Sequence, residues 1–239
     1  MKIINDEAMI LAAGYGKRML PLTSHTPKPL VKVNNKSLLE HSLDKLQNAG
    51  IKNVVINTHH IHSKILKFVK SLDRKIDVIY EEEILDTGGG VLNAIKAGKV
   101  GKNNLPFFVI NGDSYWIEKQ SIIINLSKFW DSKKMDILLL LKKKEDLYGY
   151  EGCGDFTFQK ESNYFGNINN YTSNRNLVYT GVQLLNPQIF KNIKKKIFSL
   201  KEIFKKVMEK DKLYGLIDNN KWFHVGNMKT LHEINFKKK

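Results

Sequence analysis

The stretch Ala8-Met9-Ile10-Leu11-Ala12-Ala13-Gly14-Tyr15-Gly16-Lys17-Arg18-Met19 decides how the rest of the chain is read. Residues 8–12 are small or apolar without a break, the pattern of a strand buried on both faces. Alanine and glycine then take over. Residues of that size let the backbone approach a ligand closely and aim its N–H groups at an anion. Lys17 and Arg18 add positive charge, and a guanidinium can hold two phosphate oxygens at once. Two common phosphate-binding patterns do not fit. A dinucleotide-binding Gly-x-Gly-x-x-Gly needs glycine where Met19 stands, and no Gly-Lys-Ser/Thr follows a four-residue spacer.

Outward from that stretch, short apolar runs alternate with helical patterns. Residues 37–49 carry Leu38, Leu39, Leu43 and Leu46 at helical spacing, with Gly50 as a stop signal. Residues 54–56 read as the next strand, 63–69 as a helix, 76–79 as a strand and 90–97 as a helix. Further strands are predicted at 107–110 and 137–141. Strands separated by helices of this size imply parallel units with right-handed crossovers, hence a doubly wound open sheet. Ligands of such sheets sit outside the carboxyl ends of the strands. After Lys142 the texture changes. Residues 149–154 and 167–176 are turn-rich, 156–159 and 177–185 are β-like, and helical patterns return at 200–208 and 228–236. The chain is expected to be a single domain, residues 1–239, with halves of about 8–141 and 142–239.

Bulk properties narrow the function classes. A chain of 239 residues with 42% hydrophobic content supports one substantial core. No run of about 18 apolar residues predicts a membrane span, and residues 1–8 lack the apolar region of a signal peptide. With a single cysteine, Cys153, no internal disulfide can form; together these features predict a cytoplasmic protein. The net charge is +15, from 39 Lys+Arg against 24 Asp+Glu. The lysines are scattered and no aromatic RNA-binding stretch interrupts them, so they read as solvated surface. Neither nucleic acid nor membrane is expected as a partner, and the sequence carries no signal of oligomeric state. His59, His60 and His62 read as a solvated turn between a strand and a helix rather than as a metal cluster. Cys153 reads as a loop residue rather than a nucleophile.

The continuation of the opening stretch is Pro21-Leu22-Thr23, then Thr26-Pro27-Lys28-Pro29-Leu30. Prolines on both sides of Lys28 restrict the backbone and fix the direction of its ammonium. The segment from Leu11 to Leu30 resembles the signature of the sugar-1-phosphate nucleotidylyltransferases, Leu-Ala-Ala-Gly-x-Gly-x-Arg-Met-x-Pro-Leu-Thr followed by Lys-Pro. Later motifs extend the resemblance along nearly the whole chain: Asp86-Thr87-Gly88-Gly89-Gly90, Asn111-Gly112-Asp113, Gly152-Cys153-Gly154-Asp155-Phe156, Tyr179-Thr180-Gly181 and Trp222-Phe223-His224-Val225-Gly226-Asn227. Length and late motifs look most like the N-acetylmuramate 1-phosphate uridylyltransferases of cell-wall recycling.

That resemblance implies a Rossmann-like α/β fold, a mixed, mainly parallel sheet completed by a smaller β-rich sugar-binding lobe. It implies catalytic roles for Arg18 on the β- and γ-phosphates, Lys28 between the two substrates and Asp113 on Mg²⁺, with Mn²⁺ or Co²⁺ as alternatives. It places the nucleoside triphosphate against Leu11, Ala12, Ala13, Gly14, Gly16, Lys17, Arg18, Lys28, Asn57, Asp86, Thr87, Gly88 and Asp113. The glycine run is expected to present main chain and a helix N-terminus to the nucleotide. Gly154, Asp155, Thr180 and Gly181 would meet the sugar 1-phosphate. One position departs from the pattern: His224 stands where the subgroup has a second metal-binding Asp, which makes it a candidate ligand but a poor one for Mg²⁺. UTP with N-acetylmuramic acid 1-phosphate is the expected pair. Guanylyl or thymidylyl transfer to mannose-, heptose- or glucose-type phosphates, and a catalytically silent nucleotide-sugar-binding module, are the alternatives.

Overall fold

The computed structural model describes residues 3–160, 164–173 and 175–236; Asn174, inside the predicted turn-rich stretch 167–176, lies outside them. In chain order the strands are β1 (Glu7–Leu11), β2 (Lys32–Val33), β3 (Lys36–Ser37), β4 (Asn53–Thr58), β5 (Ile76–Tyr80), β6 (Phe107–Asn111), β7 (Tyr115–Ile117), β8 (Ile137–Lys143), β9 (Leu147–Tyr148), β10 (Thr157–Phe158), β11 (Phe165–Asn169), β12 (Leu177–Leu185), β13 (Leu213–Ile217) and β14 (Lys221–Phe223). The helices are α1 (Leu38–Asn48), α2 (His62–Lys70), α3 (Asp86–Lys96), α4 (Ile122–Phe129), α5 (Leu200–Met208) and α6 (Met228–Phe236).

A central sheet runs in the order β10-β11-β13-β8-β12-β6-β1-β4-β5. Strands β6, β1, β4 and β5 are mutually parallel. The unbroken apolar run of β1 is buried on both faces: Ala8 and Ile10 join one apolar layer and Met9 the other, as the alternation of a strand requires. Helices α1, α2 and α4 cover the first layer through Leu39, Leu43, Leu46, Ile65, Val69, Ile122, Ile123 and Leu126. Helices α3 and α5 cover the second through Val91, Leu92, Ala94, Ile203, Phe204 and Val207. The sheet is therefore doubly wound, as its alternating pattern predicts. Helix α1 begins where its sequence says it should, with Ser37 Oγ accepting the Glu40 N–H at 3.1 Å.

The second half departs from strict alternation. Strand β12 lies antiparallel between β6 and β8, so the predicted strand at 137–141 does not pair with its predecessor. Its all-apolar sequence suits a central position of either direction, which is why the direction was not legible. Strands β8, β10, β11 and β13 continue the same sheet, and β8 crosses the expected boundary at residue 141. A further small sheet, β7-β14-β9, stacks Trp116 on Trp222 with ring centroids 4.8 Å apart. Pattern reading missed α4, β7, β11, β13 and β14. Asn167 and Asn169 are turn formers and make residues 167–169 read as turn; pairing of β11 with β13 overrides that preference.

Candidate active site

Strands β1, β4, β5 and β6 end on one edge of the sheet, at Leu11, Thr58, Tyr80 and Asn111. That edge opens into a cavity of about 380 Å³. Leu11, Ala12, Ala13, Gly14, Gly16, Lys17 and Arg18 form one wall, and Lys28, Asn57, Asp86, Thr87 and Asp113 also border it. Of the thirteen residues expected at the nucleotide, Gly88 is missing from the wall.

The two loop glycines serve different ends. Gly16 holds φ at 64°, and a Cβ there would press on Thr23 Cγ2 at 3.0 Å and Lys28 Cβ at 3.2 Å. Thr23 Oγ1 donates to the Gly16 carbonyl at 2.9 Å, which ties the loop to the turn before Lys28. A Cβ on Gly14 would meet no atom within 4 Å, because that residue borders the cavity.

Asn57 reaches the cavity but its amide is committed. Its Oδ1 accepts the Ala12 N–H at 2.9 Å, and its Nδ2 donates to Glu81 Oε1 at 2.7 Å. Glu81 Oε2 accepts the Leu85 N–H at 3.2 Å. A buried chain of hydrogen bonds thus runs from the start of the glycine loop to the start of α3. Burial pushes the Glu81 carboxyl above its ordinary pKa, against the opposing pull of Asn57 and the Leu85 N–H. Glu81 and Ile84 line the cavity without having been singled out in the sequence, and Pro29 and Asn111, quoted there only as parts of motifs, line it too. The signal for Glu81 was its place at the carboxyl end of β5.

The glycine run corrects the sequence reading. Helix α3 begins at Asp86 rather than at Gly90, so Gly88 and Gly89 lie inside its first turn. Their N–H groups donate to the Phe198 carbonyl at 2.9 and 3.0 Å. A Cβ on Gly88 would collide with the Phe198 ring, and one on Gly89 with the Lys196 carbonyl. These glycines admit residues 196–200 against the helix; they do not present free N–H groups to a ligand. Thr87 Oγ1 completes the junction by accepting the Leu200 N–H at 2.9 Å.

Lys28 Nζ lies 2.6 Å from Asp113 Oδ2, with side-chain exposures of 10% and 37%. Burial works to raise the Asp113 pKa, but the Lys28 ammonium, through charge and hydrogen bond and helped by His224 and Arg18, holds the carboxyl below its ordinary value. At His224, burial first and then the charges of Arg18 and Lys28 push the pKa down, with Asp113 opposing. The imidazole is therefore kept neutral. Its electrostatic coupling to Arg18, Lys28 and Asp113 brings residues from both halves to one cluster.

The four residues expected at the sugar 1-phosphate stand beside this cavity rather than on its wall. Gly181, at φ 86°, lies where a Cβ would come within 2.7 Å of Asn111 Nδ2 and 2.8 Å of Ser114 Oγ. Thr180 Oγ1 donates to the Leu140 carbonyl at 2.9 Å. Asp155 Oδ2 accepts the Tyr179 N–H at 2.9 Å, and Gly154 abuts the Arg175 carbonyl. His59, His60 and His62 go to three separate partners, the Glu81 carbonyl, the Thr23 carbonyl and Thr58 Oγ1. Cys153 is exposed.

Among the described residues, no three His, Cys, Asp or Glu side chains gather as a metal site. Asp113 and His224 alone offer one carboxylate and one neutral imidazole, which fits a divalent ion only when phosphate oxygens supply most of its ligands. No helix among the described residues is long and apolar enough to cross a membrane.

A family model described as nucleotidyl transferase matches residues 7–239. The N-acetylmuramate alpha-1-phosphate uridylyltransferase of Caulobacter vibrioides is 32% identical over 227 residues, covering 92% of this chain and 91% of the relative. The mannose-1-phosphate guanylyltransferase catalytic subunit beta of Drosophila pseudoobscura pseudoobscura is 29% identical over 93% of this chain; the match spans 59% of that relative's length. Among solved structures, the inositol-1-phosphate CTP transferase of T. maritima superposes with a TM-score of 0.76 at 17% identity, covering 99% of this chain and 98% of that one. That likeness supports the fold alone.

Proposed function

Because the chain belongs to the nucleotidyl transferase family, and its activity class is sugar-1-phosphate nucleotidyl transfer, we propose that it joins UTP to N-acetylmuramic acid 1-phosphate. The observation that carries the choice of substrates is the similarity to the Caulobacter uridylyltransferase over nearly the whole of both chains. The products are the UDP-sugar and pyrophosphate. We take residues 1–239 as one domain acting in the cytoplasm, in recycling of cell-wall sugar.

In this reading an oxygen of the sugar phosphate attacks the α-phosphorus in line. The bond to the bridging oxygen of the β-phosphate breaks, and pyrophosphate leaves with that electron pair. The attacking oxygen is already ionised near neutral pH, so catalysis consists of positioning and charge neutralisation. The open space at Gly14 admits the triphosphate against the glycine loop. Lys17 and Arg18 hold the β- and γ-phosphates and the departing pyrophosphate. Lys28, fixed between Pro27 and Pro29, contacts phosphates of both substrates. Gly154, Asp155, Thr180 and Gly181 face the sugar side. The family uses divalent ions, and Asp113 with His224 would hold one, Mg²⁺ by preference and Mn²⁺ or Co²⁺ as substitutes. A bound divalent ion supplies charge neutralisation to the phosphate oxygens.

Guanylyl transfer to mannose 1-phosphate is the second reading, favoured by relatives such as the Drosophila subunit. Pyrophosphate release from four nucleoside triphosphates against a panel of sugar 1-phosphates tests both. A clear preference for GTP with mannose 1-phosphate replaces the first reading by the second.

A further inference from the structure

The chain holds only three arginines, Arg18, Arg74 and Arg175, among its 39 Lys+Arg. Where charge alone matters this chain uses lysine, so a position that keeps arginine points to a need for its planar, multidentate fork. Arg18 borders the phosphate cavity. Arg74 binds Asp44 Oδ1 at 2.6 Å through Nη2, although its Nη1 is also buried without a hydrogen-bond partner. Arg175 makes no ion pair with any described residue, and its Nε is buried without a hydrogen-bond partner. A buried guanidinium nitrogen left unmatched is costly unless a ligand completes it.

Its surroundings place it on the sugar side. The Arg175 main chain packs against Gly154, and its charge acts on the Tyr150 phenol. Tyr150 accepts the Gly154 N–H at 3.2 Å and meets the His224 ring edge-on, centroids 5.9 Å apart. His224 shares the field of Arg18, Lys28 and Asp113. Tyr150 therefore lies between His224 at the phosphate cluster and the Gly154 backbone, against which the Arg175 main chain packs. A second buried donor without a partner, the Tyr179 hydroxyl, lies near Asp155 in the same region. The phosphates already have Lys17, Arg18 and Lys28. An arginine beyond Tyr150 with an unmatched Nε and no ion pair calls for a different anion on the same substrate.

We infer that Arg175 is a specificity residue that binds a carboxylate carried by the sugar ring, so that the chain selects acidic sugar 1-phosphates over neutral ones. This deepens the proposed function and rests on it. The test compares N-acetylmuramic acid 1-phosphate with N-acetylglucosamine 1-phosphate, the same ring without the lactyl carboxylate. Both are assayed by pyrophosphate release with UTP, for wild type, Arg175→Ala and Arg175→Lys. Wild type should favour the acidic sugar. Arg175→Ala should lose roughly 10- to 100-fold in kcat/KM on it, mainly through KM, as expected for one charged hydrogen-bonding group. Its activity on the neutral sugar and its KM for UTP should stay unchanged, and Arg175→Lys should retain part of the preference. If the alanine variant does not fold, Arg175→Gln serves in its place. Equal loss on both sugars, or an unaltered preference, overturns the inference. So does a wild type that turns over only neutral sugars, which leaves nucleotidyl transfer standing. Absence of pyrophosphate release from any pair overturns the proposed function and the inference with it.

Discussion

The phosphate side and the sugar side of the candidate site are finished to different degrees. On the phosphate side the buried polar side chains at the strand ends are matched within the protein. Ala12, Asn57, Glu81 and Leu85 close a hydrogen-bond chain, and Lys28 is paired with Asp113. On the sugar side, buried polar atoms of Arg175 and Tyr179 have no hydrogen-bond partner among the described residues. A wall whose groups are matched keeps its shape without a ligand. A wall with unmatched donors is shaped energetically for polar atoms that arrive from outside. Phosphate binding should therefore respond to loss of charge, and sugar choice to loss of single hydrogen-bonding groups.

The largest effect should come from the carboxylate that joins the two sides. Asp113→Asn should lower kcat by about 1000-fold, on the order of 4 kcal/mol, with the fold retained by circular dichroism. If this variant kept full metal-dependent turnover, the proposed metal site would be wrong and the two sides would share only Lys28. Lys28→Ala should cost about 100-fold in kcat/KM, roughly 3 kcal/mol, read by steady-state kinetics. Near wild-type turnover would remove Lys28 from the mechanism.

Two glycines sharpen the contrast between catalytic room and packing. Gly89→Ala drives a methyl into the Lys196 carbonyl and should destabilise the fold by about 1–3 kcal/mol, measured by chemical denaturation. Gly14→Ala meets no protein atom, so it should leave stability unchanged while weakening triphosphate binding. The reverse pattern would mean that the cavity has been assigned to the wrong glycines. His224→Asp is a smaller change. It should be tolerated and should widen the advantage of Mg²⁺ over Mn²⁺ or Co²⁺ in metal titrations of turnover; an unchanged ratio would confine the metal to Asp113.

The smallest effect concerns pH. Because burial raises the Glu81 pKa in the folded chain, the native state binds more protons than the unfolded one between the ordinary and the raised value. Glu81 thus favours folding fully below its ordinary pKa, and that stability is lost as pH rises through the raised one. Thermal midpoints measured across this window should slope downward, and Glu81→Gln should flatten the slope.

Much of the phosphate side was legible because it is written contiguously. Residues 8–30 carry strand, loop, cations and prolines in one segment, and the neighbouring strand ends follow from the alternating pattern. Gly88 is the exception: in sequence its glycine signals room for a ligand, but in the fold it makes room for protein. The actual neighbour, Phe198, is distant in sequence, and no local pattern announces such a contact. The sugar side was less legible for the same reason. The place of β12 between β6 and β8 depends on pairing between segments far apart in the chain, and Arg175 gains meaning only once Gly154 and Tyr150 are seen beside it.

The junction of α3 with residues 196–200 bears on how such enzymes can be recombined. The first turn of α3, which borders the cavity, is capped by a carbonyl from the far half of the chain, through N–H bonds from Gly88 and Gly89. A chimera that kept residues 1–141 and took its remaining half from a relative would inherit bare helix N–H groups and a glycine-lined furrow. The foreign half would have to supply a matching carbonyl and aromatic ring. Grafts meant to change the sugar should therefore exchange residues 150–181 and leave residues 196–200 with the host.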